Sequence, residues 1–204
     1  SGISIYKTYW AVENILKYIE KNIDDIEQNH PIIYSEFKIL MMVLEPDKVK
    51  HFHDLEKHVF HNISRYNEEE LEQVYYSLSN YCVNKIALGE DKFVNELYKI
   101  HSNFEKTGFY EKNKNLQYTD FIGVIICGLN MKQMKWVEHF FETYKGNIAS
   151  EVKRDTINLS SALIAFQNKK YKDCIGFLSK VGYKYTYFYL KSKETLIKAY
   201  YELG

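Results

Sequence analysis

The sequence predicts an all-α protein, and three observations carry that expectation. Only two prolines occur, Pro31 and Pro46, so long stretches contain no residue that interrupts a helical hydrogen-bond ladder. Apolar residues recur at three- and four-residue spacing along those stretches. Glycines 89, 108, 146 and 182 fall between the periodic segments, where a left-handed residue closes a helix.

The elements follow in order. Val12, Ile15 and Leu16 mark an amphipathic helix over 5–21, and Asp24-Asp25 reads as a loop or a helix end. Pro31 suits the first turn of a helix over 32–44, and Pro46 separates it from one over 48–63, in which Phe52, Leu55, Val59 and Phe60 supply the apolar face. Asn67 and Glu70 form a capping-box pattern at the start of 68–88, and Glu68-Glu69-Glu70 complements the positive end of its dipole. Phe93, Leu97 and Ile100 pattern a helix over 91–107. Two more follow over 118–130 and 132–145, and Ser150 is placed to cap the next, over 151–168. Tyr171, Cys174 and Leu178 give 171–180. Tyr183 to Tyr189 alternates aromatic and polar residues as a strand would, yet Leu190, Ile197 and Tyr200 continue at helical spacing and no partner strand exists, so 185–203 reads as a helix. The count is about ten helices.

Composition narrows the function classes. Lys plus Arg and Asp plus Glu are both 27, so no global field favours nucleic acid or an anionic membrane. The longest apolar run, Phe121 to Leu129, is about half a membrane span and carries Gly123 and Gly128. Cys82, Cys127 and Cys174 are widely spaced and form no CxxC pair, which predicts reduced, buried thiols and a cytoplasmic address. Charges around Tyr6–Trp10 argue against a signal peptide there. Nineteen Tyr and 12 Phe are enough to fill wide gaps between helices and also to build binding surfaces.

An internal repeat is visible in the second half. Ala162, Tyr171, Cys174, Leu178 and Val181 outline a helical hairpin around the turn Gln167–Lys170, and Ile125, Met134, Val137, Phe141 and Tyr144 repeat it at an offset of 37 residues. Phe93, Leu97 and Ile100 suggest a poorer third unit, with Glu96 where a small residue is expected. The pattern resembles the tetratricopeptide repeat, with Ala162 at its small first-helix position, Tyr171 at the turn aromatic, Cys174 at the second-helix alanine and Leu178 at the large apolar position. Asn158 stands where that family has a leading tryptophan, and Lys169 where it has a turn glycine.

From Leu116 to Gly204 the chain is also similar to the C-terminal part of an uncharacterised family of bacterial helical-repeat proteins. Phe121-Ile122-Gly123, Lys135 to Phe140 and the closing Tyr200 to Gly204 carry that likeness. It implies fold and no chemistry. Together these resemblances imply a right-handed α-α superhelix of antiparallel hairpins. The chain reads as one helical-repeat domain, 1–204, with irregular hairpins over 1–115 and recognisable repeats over 116–204. The last helix looks like the first of a hairpin without its mate, so the expectation is that either the array continues beyond it or this helix caps the array.

Candidate chemistry is sparse. His51, Asp54, His58 and His61 fall within about 80° on one helix face, where imidazoles and a carboxylate are suited to a transition metal. Only His58 and His61 are close enough to chelate one ion, because His51 lies two turns away. The same face reads as an ordinary solvated surface, or as a pH-responsive one. The Tyr- and Lys-rich stretch from Lys180 to Lys198 interleaves rings and cations as single-strand nucleic-acid binders do, although core packing explains Tyr185, Phe188 and Tyr189 better. No serine elbow, HExxH, P-loop, dinucleotide loop or catalytic carboxylate pair occurs, so no enzyme and no cofactor is expected. The leading reading is a non-catalytic scaffold that holds a protein or peptide, with Asn158, Ser161, Lys191 and Glu194 on the first helices of successive hairpins as contact residues. The rival is a metal- or pH-responsive module built on His51, His58 and His61.

Overall fold

The computed structural model describes residues 13–204, and within that span the chain is all-helical. One parallel bridge between Leu116 and Ile148 is the only β-type pairing among the described residues. None of their helices is long and apolar enough to cross a membrane. The chain divides into two compact units, Ser1–Glu90 and Asp91–Gly204.

In the first unit, α1 covers 13–21, the described part of the helix expected over 5–21; the Tyr6–Trp10 segment lies outside the described residues. It is followed by α2 (Ile23–Asn29), α3 (Pro31–Leu44), α4 (Lys50–His61) and α5 (Glu68–Ala87). Pro31 occupies the first turn of α3, where its missing N–H leaves no ladder bond unmade. The capping box at α5 forms as its spacing predicts: Glu70 N donates to Asn67 Oδ1 at 3.0 Å and Asn67 N to Glu70 Oε2 at 2.8 Å. Phe37 and Met41 of α3, Phe52, Leu55 and Val59 of α4, and Leu78 and Cys82 of α5 close the core. Several buried polar groups there are tied down, although Ser79 Oγ is buried without a hydrogen-bond partner among the described residues. Ser35 Oγ and Tyr66 Oη lie 2.6 Å apart, Lys38 Nζ reaches Asp54 at 2.7 Å, and Lys85 Nζ meets Glu90 at 2.9 Å.

The second unit contains α6 (Lys92–Lys106), the single turn α7 (Phe109–Lys112), α8 (Tyr118–Asn130), α9 (Met134–Tyr144), α10 (Lys153–Gln167), α11 (Tyr171–Leu178) and α12 (Thr186–Leu203). Helix α8 packs on α6, α9 and α10, and α10 packs on α11 and α12. So α6, α8, α10 and α12 lie side by side in chain order, while α9 and α11 return alongside their predecessors. Positions matched by the 37-residue offset share their burial: Ile125 with Ala162, Val137 with Cys174, Phe141 with Leu178 and Tyr144 with Val181 are all buried, and Met134 and Tyr171 are both half-buried.

The turns that close α8 and α10 are also alike. Gln133 N donates to Gly128 O and Lys170 N to Ala165 O, both at 2.9 Å, with a shorter-range bond from Lys132 or Lys169 nested inside. This is the Schellman pattern, and it needs a left-handed residue. Gly89 provides one after α5 with φ +88°, but Lys132 and Lys169 adopt φ 56° and 59° with a full side chain. A Cβ in that region crowds the following carbonyl. Replacing Lys169 with glycine is therefore expected to stabilise the protein by about 0.5–1 kcal/mol, with Lys169→Ala giving no gain. Thermal unfolding checks this, and a lower midpoint for the glycine variant would contradict it.

Three sequence expectations need correction. Ser150 does not cap α10, which starts at Lys153 behind Val152: Ile148, Ala149 and Val152 are all buried, and seating them draws the chain into a turn before the helix begins. Gly146 and Gly182 are not left-handed. Gly146 sits in a 3₁₀ turn that prolongs α9, and Gly182 is small for a steric reason, since a Cβ there would lie 2.8 Å from Asp155 Oδ2. Two helices were not expected at all, α2 and α7.

Candidate functional site

Helix α4 carries the histidine face, and each member is engaged separately. His51 Nε2 lies 2.8 Å from Glu45 Oε2, Asp54 holds Lys38, and His61 Nδ1 sits 2.7 Å from the Lys57 carbonyl. Exposed His53 places Nδ1 3.7 Å from Glu56. His58 is the exception to a solvated face, being only 3% exposed. Its ring lies under Tyr34, with centroids 4.4 Å apart, and its Nδ1 is 3.7 Å from Glu27 Oε1 on α2. Burial lowers its pKa, against an opposing pull from the Glu27 carboxylate. A cleft of about 660 Å³ opens beside it, with His58 and His61 on one wall and Asp24, Asp25 and Glu27 on the other. Among the described residues, His58 and His61 belong to no trio of His, Cys, Asp or Glu side chains whose ligand atoms converge within 4.8 Å.

The expected partner-contact residues separate into two places. Lys191 Nζ bonds Glu194 Oε2 at 2.9 Å, and Lys198 bonds the other oxygen of that carboxylate, so both expected residues on α12 are committed to a local charge ladder. Its two lysines hold the Glu194 carboxyl below the usual carboxylate range. On α10, Asn158 and Ser161 are half-buried, and Ser161 lines a groove of about 520 Å³ between α9, α10 and α11. That groove runs along the returning helices. Its floor is apolar, from Phe141, Ile164, Ala165 and Phe177, and Glu138, Glu142 and Asp173 stand on its walls.

A second groove, of about 590 Å³, lies between α1 and α3 in the first unit, lined by Ile15, Leu16, Ile19, Ile33, Leu40 and Val43 among others. Ile33, Leu40 and Val43 are exposed, at seven- and three-residue steps along α3. That stripe is the sequence signal that would have located the groove, because a second apolar arc on a helix already burying Tyr34, Phe37 and Met41 exceeds what one core face needs.

The Lys180–Lys198 segment resolves into packing at its start. The Tyr118 ring meets Phe188 at 4.9 Å and Tyr185 at 5.7 Å, joining α8 to α12. Tyr189 differs from expectation: it is exposed and packs edge-on against Tyr183, with Lys193 Nζ over both rings at 5.7 and 5.4 Å. All three cysteines are free and buried, as their spacing predicts, and burial pushes the Cys127 thiol up to about 12 and that of Cys174 to about 11, so both are protonated thiols at neutral pH.

No known family model, curated protein or solved structure matches the chain. The functional reading rests on the geometry of the helices and their grooves.

Proposed function

We propose that the second unit is a degenerate tetratricopeptide-like array, a right-handed stack of helical hairpins, and that the protein is a non-catalytic scaffold holding a peptide or protein segment. The observation that carries this reading is the repeated hairpin: α8 with α9 and α10 with α11 bury equivalent residues and close through the same hydrogen-bonded turn. Stacked hairpins leave grooves between successive helices, and such grooves recognise partners by shape and by a few anchors. The groove that Ser161 lines is of the size and apolar character of a ligand site.

The reading is tested by selecting an unbiased displayed-peptide library on the intact chain, followed by titration of the enriched sequences and hydrogen exchange on the complex. Enriched peptides are expected to bind with micromolar affinity and to protect amides between 134 and 178. Failure to enrich any peptide beyond the level seen with an unrelated helical protein would refute the scaffold role.

A further inference from the structure

The groove between α9, α10 and α11 combines two features that favour cations. Three carboxylates, Glu138, Glu142 and Asp173, face an apolar floor that includes the Phe141 and Phe177 rings, and among the described residues Lys170 is the only cation on the lining. Glu142 is partly neutralised by Lys145 at 2.6 Å, while Glu138 and Asp173 are exposed and, among the described residues, make no ion pair. The two phenylalanine rings also bear ammonium groups from the chain itself, since Lys145 Nζ lies 5.4 Å from the Phe141 centroid and Lys180 Nζ 5.8 Å from that of Phe177. A ring face beside a carboxylate attracts a cation both through the quadrupole and through charge.

We infer that this groove binds a basic amphipathic segment of a partner protein, whose Lys or Arg side chains meet Glu138 and Asp173 while its apolar residues fill the floor over Phe141, Ile164 and Phe177. Charge complementarity selects this occupant. An acidic segment meets two unpaired carboxylates, and an uncharged one leaves them without a partner beneath it. The inference deepens the scaffold reading and rests on it.

The experiment uses the intact chain and three synthetic amphipathic peptides of one length, with the same Leu and Phe positions and with Lys, Gln or Glu at the polar ones. The Lys peptide is expected to bind at least tenfold more tightly than the Gln peptide and the Glu peptide not at all, with affinity falling as salt rises. The Glu138→Lys/Asp173→Lys variant is expected to weaken the Lys peptide at least tenfold. Both side chains are exposed and, among the described residues, make no ion pair, and Asp173 stands in the first turn of α11, so the unfolding midpoint should fall only slightly, which keeps a tenfold loss attributable to the groove. Equal binding of the three peptides, or an unchanged affinity in the double variant, would overturn the assignment. The two readings fail distinguishably: acidic or uncharged peptides from the unbiased library would sink the basic-segment inference and leave the scaffold standing, whereas no peptide at all would sink both.

Discussion

Replacing Phe140 with alanine is expected to destabilise the second unit by about 3–5 kcal/mol, the largest effect anticipated for a single side chain here. Phe140 is fully buried on α9. Its ring meets Tyr110 at 4.9 Å in an edge-on arrangement, Phe121 at 5.5 Å, Trp136 at 5.6 Å and Tyr144 at 4.9 Å. Those four rings come from α7, α8 and α9, so one truncation removes contacts that join three helices. The helices cannot collapse into the resulting hole, because α8 and α9 already touch where Gly128 faces Val137: a Cβ on that glycine would lie 2.5 Å from Val137 Cγ2. Denaturant unfolding measures the loss, together with the near-ultraviolet dichroism that clustered rings produce. Phe166, half-buried and, among the described residues, in ring contact only with Tyr171 at 5.5 Å, is the matched control and should cost under about 2 kcal/mol on truncation. Equal costs at the two positions would mean that the ring cluster contributes nothing beyond local burial.

The contrast between Phe140 and its surroundings shows what was legible beforehand. Helices were readable because their signals are local: the apolar spacing of 118–130 is complete within the segment, and Asn67 and Glu70 are three residues apart. The repeat was readable for the same reason, since equivalent burial requires equivalent spacing. Helix α2 was not. Its seven residues bury only Ile26, and it is anchored from outside by Arg65, whose guanidinium donates to the Gln28 and Asn29 carbonyls at 2.9 and 3.2 Å. Missing α2 is why His58 read as solvent-facing: it borders the apolar arc of Leu55 and Val59 on α4, and an unforeseen helix with Glu27 closes over that border. The left-handed turns escaped notice because lysine occupies them, and a residue preference carries no information where the sequence departs from it. The α9–α11 groove was out of reach for a different reason. Glu138 and Asp173 occupy non-equivalent positions of the two hairpins, so no repeat rule points to both, and only the stacking of α9, α10 and α11 brings them to one cavity.

Acid is expected to destabilise the second unit through His101, well before the bulk of the carboxylates titrate. His101 is fully buried on α6, with Nδ1 3.2 Å from the Tyr110 hydroxyl, and burial lowers its pKa to about 3. In the unfolded chain the same imidazole takes up a proton near pH 6.5, so between these values the unfolded state binds one proton more than the folded state. The stabilising contribution of a neutral His101 is whole above pH 6.5 and declines by about 1.4 kcal/mol for each unit of acidification below it, a loss of about 2 kcal/mol by pH 5. Denaturant titrations at a series of pH values give the slope directly. A His101→Gln variant should start less stable at pH 7, because it disturbs the partner of the Tyr110 hydroxyl, yet lose less between pH 6.5 and 5, the difference in slope being about one proton. A slope unchanged by the substitution would assign the linkage elsewhere. The Tyr110 ring that carries this hydroxyl also packs edge-on against Phe140, so the aromatic cluster that the Phe140→Ala substitution empties is part of the burial that keeps His101 neutral. The two perturbations are therefore expected to be non-additive: the Phe140→Ala protein should lose less on acidification than the parent, because part of the structure that keeps His101 neutral is already gone.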